Sequence, residues 1–345
     1  MTEKLKSLKD SVKLVLRRHS GTRKNGESAS IRTQELTEEF MMSTCVRLHN
    51  MGYLLEDING LREKHVEALV RSWMGQGLSN KTMQNHYSRL RIFCGWIGKE
   101  SLLKTKGQGV GNYLPEINAK DLKVKTVAES SKSWSGNGID VVRKIETALE
   151  EDQRFGVMLM LGLGFGLRKK EQLMIRPSVA IKEDWLEVEG STAKGGRPRI
   201  VKMEEGEFGE FQRCVAGMAK KLCKKNETLG WPELTYEQAE RRYYTRTNKI
   251  GITKENSGVV CHGLRAEYAE NMALLRGLMP PTMGGSRKQM EKEEREKITQ
   301  KVSDALGHND LHTIGAYFGS FVRGEIKVKE DVIDKRLISY SIKMT

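Results

Sequence analysis

Residues 154–175 read RFGVMLMLGLGFGLRKKEQLMI, and no other stretch restricts the fold as strongly. Its apolar part carries glycines and is shorter than the roughly 18 apolar residues that suggest a membrane span. It must therefore be buried inside protein. Arg168 stands at the end of this run. A buried charge needs a partner or a ligand, and Glu171 is close enough in sequence to serve. On either side the pattern changes. Upstream, Val141, Val142, Ile145 and Leu149 have the spacing of an amphipathic helix. Downstream, Trp185, Leu186 and Val188 read as one strand and Ile200, Val201 and Met203 as another. The Gly-rich GSTAKGGRP between them makes a β-hairpin with Lys194 near its tip. Beyond the hairpin the pattern is helical to the end. Residues 136–345 are thus expected to form one mainly helical α+β domain with a small antiparallel sheet.

A chain of 345 residues has room for a second domain. Residues 31–100 show only helical periodicity. Val66, Leu69, Val70 and Trp73 form one stripe; Tyr87, Leu90, Phe93, Cys94 and Ile97 form another, with Ser79 or Asn80 as N-cap. Lys81, Asn85, Arg89 and Arg91 project to the opposite side of that last helix. An all-α domain with one polar, basic face is expected there. Residues 1–30 read as a basic arm, and 101–135, with GQGVGN and SSKSWSGNG, as a linker.

The net charge of +14 suits a polyanionic partner, since neutralised phosphates release counterions. No apolar run reaches spanning length, and MTEKLKSLKD lacks the apolar core of a signal peptide. A cytoplasmic protein that does not enter membranes is expected. The five cysteines contain no CxxC pair, which argues against a zinc site or a disulfide framework.

Within the second domain, Arg168, Lys194, His262, Arg265, His308 and Tyr317 could together carry out transesterification on a phosphodiester. A tyrosine oxygen can attack phosphorus and become a covalent phosphotyrosine. Two arginines can clamp the non-bridging oxygens where charge develops. Lys194 is a candidate acid for the departing 5′ oxygen, His262 a candidate base for Tyr317, and His308 a donor to phosphate. With guanidinium groups neutralising the phosphate, no metal or other cofactor is expected. Taken singly, each of these residues more often has a structural role.

The motifs GLRKKE, TAKGGRPR, HGLRAEYA and LGHNDLHTIGAY occur in the order seen in the tyrosine recombinases, the family that includes phage integrases and chromosome-dimer resolvases, and the chain resembles that family. Its two arginines match Arg168 and Arg265, its acidic neighbour Glu171, its hairpin lysine Lys194, its two histidine positions His262 and His308, and its nucleophile Tyr317, nine residues after His308. SNKTMQNHYSRLRIFCGWI resembles the family's core-binding domain. The resemblance implies a C-shaped clamp around double-stranded DNA. It also implies a homotetramer on two recombination sites, and integration or excision of a mobile element. Accessory DNA-bending proteins are further candidate partners. Lys81, Arg89, Arg197 and Arg199 are candidate DNA contacts. A type IB topoisomerase-like relaxation of DNA and a non-catalytic architectural role are the alternatives. One departure is the 43-residue step from Arg265 to His308. It holds a charged insertion at about 278–298, read as a loop plus helix and as a solvated excursion. A C-terminal helix at about 329–343 is also expected.

Overall fold

The computed structural model describes residues 2–22, 26, 28–103, 109–308 and 311–321. The chain divides into two compact units, Met1–Lys125 and Thr126–Thr345.

Among its described residues the first unit contains four α-helices, α1 (Glu3–His19), α2 (Ile31–Asn50), α3 (Glu63–Gly75) and α4 (Asn80–Trp96). Their apolar stripes meet in one core that includes Leu8, Met41, Leu69, Trp73, Leu90 and Phe93. Ser79 caps α4, its hydroxyl accepting from the Thr82 amide at 3.2 Å. Residues 3–19, expected as a basic arm, are instead a helix of this core. Leu5, Leu8, Val12 and Leu16 recur at helical spacing and are buried, and Ser11 Oγ accepts from the Ile58 amide at 3.0 Å. The lysines occupy the outer face of the same helix. Arg23, Lys24 and residue 25 lie outside the described residues.

The linker expected at 101–135 is largely absorbed by the two units. Val110, Tyr113, Leu114 and Leu122 are buried in the first core, and Trp134 is buried in the second, its indole donating to the Val260 carbonyl at 3.0 Å. Large apolar side chains decide this against the local Gly, Ser and Lys content.

The second unit is built around α6 (Gln153–Phe165), in which Phe155 through Phe165 are all buried. A helix without a wet face must be surrounded. It packs against α5 (Val141–Glu151), α7 (Lys169–Met174), α9 (Gly206–Leu222) and α12 (Gly263–Leu274). The short α8 (Pro177–Ala180) leads into the hairpin of β1 (Trp185–Val188) and β2 (Arg199–Lys202), antiparallel with Trp185 opposite Lys202 and Val188 opposite Arg199. Among the described residues, helices α10 (Tyr236–Lys249), α11 (Lys254–Ser257), α13 (Lys292–Ala305) and α14 (Leu311–Phe318) follow in the same unit.

The insertion at about 278–298 is only partly a solvated excursion. Leu278, Pro281, Thr282 and Met283 are buried, and Thr282 Oγ1 donates to the Tyr317 carbonyl at 3.4 Å. This apolar half forms a floor under α14, while the charged half becomes the start of α13. The helix expected at 329–343 lies outside the described residues. Among the described residues no helix is long and apolar enough to cross a membrane.

Candidate active site

Helix α6 ends at Gly166, whose φ of 61° is left-handed. A side chain there would also collide with the Tyr268 ring, 2.5 Å from an added Cβ. The turn delivers Arg168 to the N-terminus of α7. Glu171 Oε2 accepts the Arg168 amide at 2.8 Å and Glu171 Oε1 its guanidinium at 2.9 Å.

Arg265 lies on the first turn of α12 and is 1% exposed. Its guanidinium donates to the Gly166 and Leu306 carbonyls. Its Nε donates to Tyr317 Oη at 3.1 Å, and its Nη2 lies 3.3 Å from His308 Nε2. Arg168 Nη2 reaches the same Leu306 carbonyl at 3.4 Å. Burial lowers the pKa of Arg265, Tyr317 offsets part of that, and Arg168 and Arg199 add to it, leaving about 10. The group stays cationic at neutral pH.

Tyr317, on α14, is 8% exposed, and its Oη lies 3.4 Å from His262 Nε2. Its ring stacks on that of His308, with centroids 5.6 Å apart. Enclosure by protein, then the charges of Arg265, Arg168 and Lys132, lower the pKa of His262. His262 is nevertheless among the exposed residues, and the neighbouring cations oppose its protonation irrespective of enclosure. His308 is lowered to about 4, by burial first and then by Arg265 and Arg168. Tyr317 Oη is thus placed to accept from Arg265 and donate to a neutral His262.

Five of the six expected residues therefore share one cluster. Lys194 is the sixth: it stands on the exposed turn between β1 and β2, and no hydrogen bond joins it to the cluster among the described residues. Its charge still contributes to the lowering of His308. Asn309 and Asp310 of the LGHND motif lie outside the described residues.

Glu171 is 2% exposed. Burial alone would raise its pKa, but Arg199 and then Arg168 override this and hold it at about 2. Its main partner is Arg199, a pairing that sequence reasoning missed. Arg199 was expected to touch DNA, but it is 8% exposed and donates to both Glu171 oxygens at 2.9 and 2.7 Å and to the Ala305 carbonyl at 3.0 Å. Its donors point inward because a buried carboxylate needs compensation. Arg197 and Lys81 are exposed and Arg89 is half-buried. Lys132 also escaped sequence reasoning, since SSKSWSGNG read as linker. Its Nζ donates to the Ala316 carbonyl at 3.0 Å, beside Tyr317. A groove of about 610 Å³ opens next to the cluster, with Arg168, Lys169, Tyr244 and His262 in its wall. Among the described residues no group of three or more His, Cys, Asp or Glu side chains is arranged to hold a metal ion.

Comparison with known proteins matches residues 16–103 to the family model for the N-terminal domain of phage integrases. No curated protein matches. Among solved structures, a lambda integrase dimer bound to a COC′ core site superposes with TM-score 0.58 at 14% identity, covering 94% of this chain and 99% of that one. The chain has the integrase fold. A lambda integrase tetramer bound to a Holliday junction gives 0.58 at 13% identity, covering 93% and 80%. The XerH site-specific recombinase, in a post-cleavage complex with a palindromic difH substrate, gives 0.52 at 15%, covering 91% of each chain. The resemblance to tyrosine recombinases read from the motifs is borne out by this fold. In the integrase fold of this chain, α12, α13 and α14 bring His262, Arg265, His308 and Tyr317 together, and the turn after α6 adds Arg168.

Proposed function

We propose that the protein is a tyrosine-type site-specific DNA recombinase that cuts and rejoins DNA through a 3′-phosphotyrosine intermediate. The observation that carries this reading is the position of Tyr317 Oη, between Arg265 Nε at 3.1 Å and His262 Nε2 at 3.4 Å. Distances of this length are usual before substrate tightens a site. Tyr317 Oη attacks phosphorus, and its proton passes to His262. The bond from phosphorus to the 5′ oxygen breaks, and Lys194, on its exposed turn, protonates the leaving oxygen. Arg168, Arg265 and His308 take up the charge on the non-bridging oxygens. Rejoining reverses these steps, with a 5′ hydroxyl from the second duplex as nucleophile. Protein cations neutralise the phosphate throughout, so the reaction is expected to run without divalent metal.

The integrases of the same fold are complexed with core-site DNA and with a Holliday junction, which supports double-stranded recombination sites as substrate and a homotetramer as the working form. Integration or excision of a mobile element is the role this reading assigns. Lys81, Arg89 and Arg197 would contact phosphates as the two units engage the duplex.

The test is a nicked suicide duplex from the ends of the native element, incubated with protein in EDTA and resolved on a denaturing gel. A covalent protein–DNA band is expected, and its absence in Tyr317→Phe. Demonstrated binding without any band would turn the reading toward a non-catalytic DNA-binding protein. Relaxation of supercoils without strand exchange between paired sites would turn it toward a topoisomerase.

A further inference from the structure

Arg199 sits at the root of the turn that carries Lys194, where β2 begins opposite Val188. Three of its donors are committed to groups on two other elements: both oxygens of Glu171 on α7, and the Ala305 carbonyl at the end of α13. Glu171 in turn holds the backbone and guanidinium of Arg168. The next carbonyl of the α13 terminus, that of Leu306, accepts from Arg168 and Arg265. Three guanidiniums thus converge on two successive carbonyls at the negative end of a helix dipole. His308 follows two residues later. Packing is close here: a Cβ on Gly307 would come within 2.9 Å of Arg199 Cδ.

We infer that Arg199 is a positioning residue of the proposed recombinase, fixing the Lys194 hairpin, Arg168 and the His308 segment to one another through Glu171 and Ala305. This rests on the function proposed above. Arg199 touches neither substrate nor the reacting atoms. It acts by keeping Glu171 ionised and aimed, so that Arg168 presents its remaining donors to phosphate. It further determines where the turn bearing Lys194 projects.

The experiment compares wild type with Arg199→Gln and Arg199→Lys in three measurements. In duplex binding across salt concentrations, Arg199→Gln is expected to leave the slope unchanged. A slope lowered by about 1 would place Arg199 on a phosphate and overturn the inference. In single-turnover cleavage at saturating nicked duplex, Arg199→Gln should be about 10²-fold slower, the scale of a misplaced catalytic group. It should also gain an acidic limb, as Glu171 titrates within reach. Arg199→Lys should recover much of the rate. A scaffold role alone would lower the melting temperature and add no limb, and it would overturn the inference. Carboxyl ¹³C NMR supplies a readout that needs no catalysis. Glu171 should stay ionised throughout mild acid in wild type and titrate in the ordinary carboxylate range in Arg199→Gln. Ordinary titration in wild type would refute the role even if no covalent adduct ever formed. Absence of adduct with the expected titration would instead refute the proposed function and leave the coupling standing. Should Arg199→Gln not fold, the Glu171 titration of wild type, which needs no variant, still decides.

Discussion

Arg265 directs one buried guanidinium at two carbonyls, a phenol and an imidazole. Lysine offers a point charge without the planar fork and cannot span those groups. Arg265→Lys should therefore slow single-turnover cleavage by about 10²–10³-fold, the effect of losing one preorganised donor. A rate within threefold of wild type would remove Arg265 from the mechanism. The histidines give a pH signature. His308 is held at about 4 against an ordinary 6.5, so between those values the unfolded chain binds more protons than the folded one. Stability should rise with pH across that window, and His262 acts in the same direction. Glu171, at about 2, stabilises the fold above the ordinary carboxylate range and loses that contribution as pH falls through its own value. Melting temperatures recorded from pH 4.5 to 7 should climb in wild type and climb less in His308→Asn; identical slopes would discount the imidazole. At this scale the sequence was readable where side-chain chemistry is distinctive. Tyr317, His262, Arg168 and Arg265 stand in an order that few other functions need. Arg199 was not readable as an internal partner, since an arginine in a basic turn looks the same whether it faces water or a buried Glu171.

Helices such as α5 and α3 and the β1–β2 hairpin follow directly from periodicity and turn composition. Helix α1 was hidden by its lysines, although Leu5, Leu8, Val12 and Leu16 are as regularly spaced as any stripe in the chain. The MPPTMGG segment reads as loop, and it holds one short 3-10 turn, Pro281–Met283. What local sequence cannot convey is that α14, some thirty residues later, packs onto it. The same holds for Trp134, whose partner Val260 is remote in sequence. Gly166 allows a test at this scale. Its φ of 61° and the nearby Tyr268 ring exclude a side chain, and its carbonyl receives Arg265. Gly166→Ala should destabilise the second unit by more than about 1 kcal/mol, because the strained backbone adds to the ordinary helix-end preference. It should also reduce cleavage beyond the folded fraction lost. Calorimetry of the two units' transitions, with cleavage measured alongside, checks both.

For the whole molecule, the proposed function and a net charge of +14 together predict an affinity for DNA that depends strongly on ionic strength. If six to ten phosphates are contacted, binding should weaken by about 10³–10⁵-fold between 50 and 200 mM salt. Lys81→Gln and Arg197→Gln should each reduce the log–log slope by about 1. Unchanged slopes would remove these residues from the contact surface. The Lys125–Thr126 division depends on which core claims each apolar side chain of a Gly- and Ser-rich stretch, and local composition there does not mark it.

Thr282 under the Tyr317 carbonyl, Lys132 on Ala316 and Ala128 on Gly315 hold the short α14 against its own unit. On the proposed function, nucleophile and clamp are thus furnished by the same polypeptide. A solution containing equal parts of Tyr317→Phe and Arg265→Ala protein should remain inert on suicide duplexes, because no exchange of partners can assemble an intact centre from two damaged copies. Had the tyrosine been lent across a subunit boundary, the same mixture would recover a quarter to a half of its cutting, and each defective chain would heal its neighbour.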